Sequence, residues 1–329
     1  MRVLVTGASG FVGSHLVPAL ESAGHQLTLA LRTPSAVDRL PAASVANPRR
    51  TVAIGEIDER TDWTEALDGA DAVVHLAARA HVLDVGANDE EAFMRVNALG
   101  TARLVDQAVH AGTKRFVLMS SIGAVTASSP SLVTVETPCA PETPYGRSKL
   151  AAERAVTGRA SGTRTRYTIL RPTLVYGPGN PGNMERLVAL VRRGLPLPLG
   201  SVDNRRSFTF VRNLAELTAT ALSHPKAADS VFLVADGTDL STPALIRRIA
   251  ALTGSRTRVF PFPLALLRTL ARGAEAMASA ARLSLPLDAE SLRRLESSLY
   301  VDIEPLRSTL DWAPPFSLDD GLRCMLNPS

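Results

Sequence analysis

The sequence predicts an α/β fold, a doubly wound parallel sheet of about seven strands with a smaller C-terminal lobe. Three observations carry that expectation. The apolar run Arg2-Val3-Leu4-Val5 is too short for a helix and reads as a buried central strand. Gly7, Gly10 and Gly13 follow at once, in front of a helical stretch at 14–23. Strand-like and helix-like segments then alternate as far as residue 171, and less regularly beyond it.

Taken in order, short apolar runs mark further strands at 26–31, 51–54, 72–76, 115–119, 167–170 and 231–234. Helical stretches lie between them at 62–68, 90–111, 145–159 and 211–223. Regular alternation of this kind implies parallel strands covered by helices on both faces. Two segments rich in proline and loops interrupt it, so residues 1–171 and 208–236 are assigned to the nucleotide-binding unit. Residues 172–207 and 237–329 then form a second lobe woven from two pieces. A further proline-rich loop spans 130–144.

A glycine where a strand turns into a helix permits positive φ and lets backbone approach a ligand without a Cβ between them. The helix beyond offers unpaired N–H groups and the positive end of its dipole, which suits a pyrophosphate. Composition narrows the alternatives. Hydrophobic residues make up 45% and charged residues 21%, ordinary values for a globular protein. A net charge of +4, with no basic run interleaved with aromatics, argues against nucleic-acid binding. Cys139 and Cys324 stand far apart and the six histidines are scattered, so no metal site is expected and a reducing, cytoplasmic setting fits. The chain opens directly on a strand, leaving no expected signal peptide. The apolar stretch 262–287 carries Arg268, Arg272, Glu275 and Arg282, and reads as one or two amphipathic helices and not as a membrane span.

Tyr145 and Lys149 stand four residues apart, on one face of a helix. A neighbouring cation favours the phenolate and should lower the tyrosine's pKa, fitting it to exchange a proton with a carbonyl or hydroxyl. Ser120 and Ser121 end the strand at 115–119 and bring hydroxyls that polarise a substrate oxygen.

The run Thr6-Gly7-Ala8-Ser9-Gly10-Phe11-Val12-Gly13, with Ser, Tyr and Lys downstream, resembles the extended short-chain dehydrogenase/reductases of the epimerase/dehydratase group. The likeness covers nearly the whole chain. It continues through Val74-His75-Leu76-Ala77-Ala78, Val96-Asn97-Ala98-Leu99-Gly100-Thr101, and Arg171-Pro172-Thr173-Leu174-Val175-Tyr176-Gly177-Pro178-Gly179. Asp302, Arg307, Leu310, Trp312 and Pro314, followed by Ser317-Leu318, resemble the family's ending.

The resemblance implies a Rossmann fold and a Ser121, Tyr145, Lys149 catalytic set. Ser121 is preferred over Ser120 because Ser-Ser-Ile-Gly-Ala-Val resembles the run in dihydroflavonol and cinnamoyl-CoA reductases, where the second serine works. Ile122-Gly123 stands where family dehydratases carry Asp-Glu, which argues against dehydration. It implies dinucleotide contacts from Gly7, Gly10, Phe11, Val12, Arg32, Glu56, Ile57, Leu76, Ala77, Ala78, Tyr145, Lys149 and Pro172. NAD-binding relatives end the second strand with an acid. This chain has Leu31-Arg32, so NADP is expected, with NAD as the alternative.

The implied substrate is a nucleotide-diphosphate sugar, most simply a UDP-sugar. Asn183 would approach the diphosphate or base, Leu197 and Leu199 would flank the base, and Arg206 would hold phosphate oxygens. His75 and His81 are expected to be structural or rim residues. The stretch 196–208 resembles bacterial polysaccharide-biosynthesis enzymes, among them UDP-4-keto-6-deoxy-sugar reductases and proteins named UDP-glucose 4-epimerases. The sequence expectation puts the reductase first and the 4-epimerase second. A reductase of flavonoid- or steroid-like ketones and a non-catalytic dinucleotide sensor follow. Relatives also pair two subunits through the helices at 90–111 and 145–159, so a homodimer is expected.

Overall fold

Short apolar strands separated by helices leave one economical arrangement, and the computed structural model adopts it. It describes residues 1–40, 49–80, 89–180, 182–270 and 289–327. The strands in chain order are β1 (Arg2–Thr6), β2 (Gln26–Leu31), β3 (Arg50–Ala53), β4 (Ala72–His75), β5 (Arg115–Met119), β6 (Arg166–Pro172), β7 (Leu174–Tyr176), β8 (Phe208–Phe210) and β9 (Ser230–Val234). Seven of them form one parallel sheet in the order β3-β2-β1-β4-β5-β6-β9. The chain winds outward from β1 to β3, then crosses back to lay β4 on the other side of β1. The strand ends therefore diverge between β1 and β4, which is where such sheets bind ligands.

The helices run in order α1 (Phe11–Ser22), α2 (Thr64–Leu67), α3 (Asp89–Phe93), α4 (Gly100–His110), α5 (Pro144–Ala160), α6 (Asn183–Arg192), α7 (Val211–Ser223) and α8 (Thr242–Thr253), of which α6 and α8 pack with β7 and β8 and not on the main sheet. The two-residue period of a strand divides the side chains between two cores. Val3 and Val5 face α1 and α7, against Leu16, Leu20, Leu214 and Leu217. Leu4 points the other way, with Val73, Phe116 and Ile169, toward Leu104 and Val105 of α4, Val156 of α5 and Trp63. A third cluster gathers Tyr176, Met184, Val188, Leu197, Leu199 and Phe210 with Ile246 and Ile249 of α8.

The helix expected at 90–111 is three pieces. A π-helical turn, Met94–Leu99, separates α3 from α4. The small parallel pair β7–β8 lies where the sequence suggests loop. Of the helical stretch expected at 262–287, residues 264–270 are helical and 271–287 fall outside the described residues. Among the described residues no helix is long and apolar enough to cross a membrane.

The C-terminal segment is held at several points, one of them a buried asparagine. Asn213 of α7, fully buried, donates to Asp236 Oδ1 at 2.8 Å and to the Phe316 carbonyl at 2.9 Å. Its own oxygen accepts from the Phe316 amide at 3.0 Å. Asn213→Ala leaves these partners buried and unmet, a loss of about 1–3 kcal/mol. Urea denaturation followed by circular dichroism should show a lower midpoint, and an unchanged midpoint would show that this asparagine is dispensable.

Candidate active site

The carboxyl ends of β1, β4, β5 and β6 open on a cleft of about 500 Å³. Gly7 follows β1, Leu76 and Ala78 follow β4, Met119 ends β5 and Pro172 ends β6, and all of them line it. So do Gly10, Phe11, Val12 and Gly13, which carry the chain into α1.

Two features of this loop fit a dinucleotide pyrophosphate. Gly7 holds φ at +72°, and a Cβ there would stand 2.7 Å from the Ala77 nitrogen, so only glycine lets the two loops touch. The N-cap of α1, Gly10, supplies no side-chain hydrogen bond, and the first turn contains no acid. The opening N–H groups of α1 are thus left for an anion in the cleft.

On the opposite wall stands α5. Thr143 caps it, accepting from the Gly146 amide at 3.0 Å, and Pro144 takes the first helical position, where its missing N–H costs nothing. Gly146 lets the helix lie against the turn Ile122–Ala124, since a Cβ there would strike the Gly123 carbonyl oxygen. That close approach sets Tyr145 beside the turn that carries Ser121, and the Ser121 hydroxyl favours the Tyr145 phenolate. Lys149, one helical turn on and buried, donates from Nζ to the Met119 carbonyl at 2.6 Å. Ser121, Tyr145 and Lys149 therefore line one cleft with the glycine loop.

The electrostatics depart from the sequence expectation in one respect. Burial pushes the Tyr145 phenol above its ordinary value, and the Ser121 hydrogen bond only partly offsets this. A depression by Lys149 was expected, but the ammonium is directed at the Met119 carbonyl. Burial also pushes Lys149 down to about 8, against the carboxylate of Glu153, which raises it.

The two serines are separated by their partners. Ser120 is buried, and its hydroxyl donates to Glu153 Oε1. Glu153 in turn takes two bonds from the Arg171 guanidinium, from Nε at 3.0 Å and Nη2 at 2.6 Å. Ser121 stays half-buried, accepts from the Gly123 amide at 3.1 Å and meets Tyr145. The sequence expectation did not include the Glu153–Arg171 pair. Its signal was an acid one turn beyond Lys149 and an arginine closing an apolar strand.

The remaining expected residues are spread more widely. Ala77 donates its amide to Thr6 Oγ1 at 3.1 Å, beside the lining residues Leu76 and Ala78. Arg32 and Glu56 stand 3.5 Å apart in an exposed ion pair beyond β2 and β3, and Ile57 packs on the core beneath. His75 is buried between two threonines. Asn183 opens α6 next to Gly182, a lining residue, but its side chain lies outside the described residues, as does His81. Leu197 and Leu199 were expected to flank a base. Both are packed inside the third apolar cluster, a structural position that their hydrophobicity explains. Arg206 is not among the residues lining the cleft, and its Nη1 donates to the Ser297 carbonyl and hydroxyl, each at 3.1 Å. Thr173, Leu174, Val175 and Asn180 line the cleft without having been singled out.

Comparison with known proteins agrees with this layout. Residues 3–235 match the model of the NAD dependent epimerase/dehydratase family. A UDP-glucose 4-epimerase of Vibrio cholerae is 36% identical over 331 residues, covering 98% of this chain and 93% of that protein. A 3-beta-hydroxysteroid dehydrogenase of Mycolicibacterium neoaurum is 26% identical, covering 98% of this chain and 89% of its own. Among solved structures, MoeE5 in complex with UDP-glucose and NAD superposes with a TM-score of 0.74 at 26% identity, covering 99% of this chain and 97% of that one. With a glycine loop and a Ser-Tyr-Lys set on one cleft, and a family match across most of its length, the chain belongs to the NAD dependent epimerase/dehydratase family.

Proposed function

We propose that the protein is a 4-epimerase of a UDP-sugar that keeps NAD bound between turnovers. The observation that carries this reading is the near full-length likeness to the Vibrio cholerae UDP-glucose 4-epimerase, joined to the Ser121, Tyr145 and Lys149 cleft. It reverses the order given by the sequence, which put a 4-keto-sugar reductase first. The reductase remains the second reading for one reason: burial keeps the Tyr145 phenol protonated, which suits a proton donor.

The glycine loop and the open end of α1 would hold the pyrophosphate, and Lys149 would meet the nicotinamide ribose. When bound, the dinucleotide supplies reversible hydride acceptance from the sugar carbon. The chain supplies the proton chemistry. Burial holds the phenol protonated in the free protein, so Tyr145 first releases its proton to solvent as the charged ligands bind. As phenolate it takes the proton from the C4 hydroxyl as the ketone forms and returns it when the sugar is reduced on its other face. Ser121 donates to the same oxygen, and Lys149, held on the Met119 carbonyl, adds positive charge to the cleft. Residues 172–207 and 237–329 are the proposed sugar-nucleotide lobe, except that Leu306, Leu310 and Trp312 pack in the core of the main sheet. Thr173 and Asn180 are the polar residues it brings to the cleft.

The choice of NAD rests on Glu56. An acid 3.5 Å from Arg32 opposes a 2′-phosphate and offers an acceptor to a 2′-hydroxyl. The pair is exposed, so its influence is modest.

Four outcomes are expected. The purified protein should contain NAD and interconvert UDP-glucose with UDP-galactose, or their N-acetylated forms, without net change in cofactor. Stoichiometric oxidation of added NADPH by a UDP-4-keto-6-deoxy sugar would replace the epimerase with the reductase. Tyr145→Phe should lower kcat by ~10²–10⁴-fold. Ser121→Ala should cost more turnover than Ser120→Ala, whose hydroxyl is committed to Glu153; the opposite ranking would reassign the serine. Glu56→Gln should raise affinity for NADP relative to NAD by ~2–5-fold in titration calorimetry. An unchanged ratio would remove Glu56 from cofactor selection.

A further inference from the structure

Behind the cleft, three buried side chains are joined end to end, and the last bonds the main-chain carbonyl of a fourth buried residue. Thr6 closes β1, His75 closes β4, Asn97 sits in the π-helical turn and Thr101 in α4; none is more than 1% exposed. Thr6 Oγ1 lies 2.7 Å from His75 Nδ1, and Thr101 Oγ1 lies 2.9 Å from His75 Nε2. Thr101 also bonds the Asn97 carbonyl at 2.6 Å.

Counting hydrogens fixes the direction of every link. A carbonyl only accepts, so the single hydroxyl hydrogen of Thr101 is spent on Asn97. Thr101 must then accept from the imidazole, which places a hydrogen on Nε2. At the other end Thr6 Oγ1 already accepts the Ala77 N–H at 3.1 Å. Its own hydrogen goes to Nδ1, which carries none. The ring is the neutral Nε2–H tautomer. A second proton on Nδ1 would face a hydroxyl already accepting from Ala77, in a fully buried site. Burial, aided by the charge of Lys149, accordingly holds His75 down to about 3.

Both ends of the chain reach the cleft. Ala77 is the residue on which Gly7 rests, between Leu76 and Ala78 of the lining. Beyond Thr101, the Asn97 side chain grips residue 79, accepting its amide at 2.8 Å and donating to its carbonyl at 3.0 Å. Asn97 also donates to Ser148 Oγ at 2.9 Å, and Ser148 donates to the Tyr145 carbonyl at 2.8 Å.

We propose that Thr6, His75 and Thr101 are positioning residues, a one-way hydrogen-bond chain that sets the dinucleotide loop in register with the helix carrying Tyr145. The roles of those two walls rest on the function proposed above, while the chain itself does not. A packing role alone would be met by a phenyl ring, since His75 already lies against Phe116 with centroids 6.3 Å apart.

Two experiments test it. Imidazole nitrogen NMR of the free wild-type protein should show His75 as the Nε2–H tautomer, unchanged from about pH 5 to 8, the range in which ordinary histidines titrate. An Nδ1–H tautomer, or a titration in that range, would overturn the proposal. Thr6→Val and Thr101→Val should each weaken dinucleotide binding in calorimetry by about two- to tenfold. Each should also lower kcat while leaving the sugar KM unchanged. The double variant should lose no more than the worse single one, because either break disconnects the same chain. Multiplied losses, or full dinucleotide affinity in His75→Phe, would show packing alone. Should the variants fail to fold, the wild-type tautomer decides. The tautomer and the dinucleotide affinity are both measured without sugar, so an error in the substrate reading affects neither result.

Discussion

The ion pair between Glu153 and Arg171 holds the reacting wall of the cleft in place. Two charges taken out of water are tolerated only when their remaining hydrogen-bonding positions are filled. Here the guanidinium fork bonds both carboxylate oxygens, and the Ser120 hydroxyl adds a third bond. Arg171 further contacts Cys139 Sγ at 3.4 Å. One pair thus joins α5, the ends of β5 and β6, and the loop before α5. The arrangement also divides the labour between adjacent serines. Because the carboxylate takes Ser120, the strand direction leaves Ser121 facing Tyr145.

The same pair bears on the charge state of the cleft. Glu153 lies one helical turn below Lys149 and favours its ammonium, which burial disfavours. Tyr145 is left with a hydroxyl partner and no direct cation. In the free protein the phenol is therefore neutral and the ammonium easily perturbed. Ligand charge arriving in the cleft will weigh heavily on both.

Much of this was legible in the sequence. All seven strands of the main sheet were placed, because each is a short apolar run between turn residues. The glycine loop and the Tyr145–Lys149 spacing were legible because a close backbone approach and a shared helix face leave few alternatives. What stayed hidden depended on partners remote in the chain. Nothing near Tyr145 announces that Lys149 will turn to the Met119 carbonyl. Leu197 and Leu199 look the same whether they flank a base or fill a core, and burial alone separates the two. Arg32 and Glu56 were both named from the sequence, but their pairing across the exits of β2 and β3 shows only in the structure. Strands β7 and β8 were missed because three residues each give no period to detect.

The π-helical turn has a consequence for how this chain tolerates change in length. Such a turn accommodates one residue more than an α-helix would over the same rise. Each residue advances an α-helix by about 100°. Removing a single residue between Met94 and Leu99 would let the segment relax into continuous α-helix, and α3 would swing round relative to α4. Phe93 would then leave its edge-on contact with the Tyr145 ring. Homologues that vary in length should therefore carry their insertions and deletions elsewhere, while the count of residues from Met94 to Leu99 stays fixed.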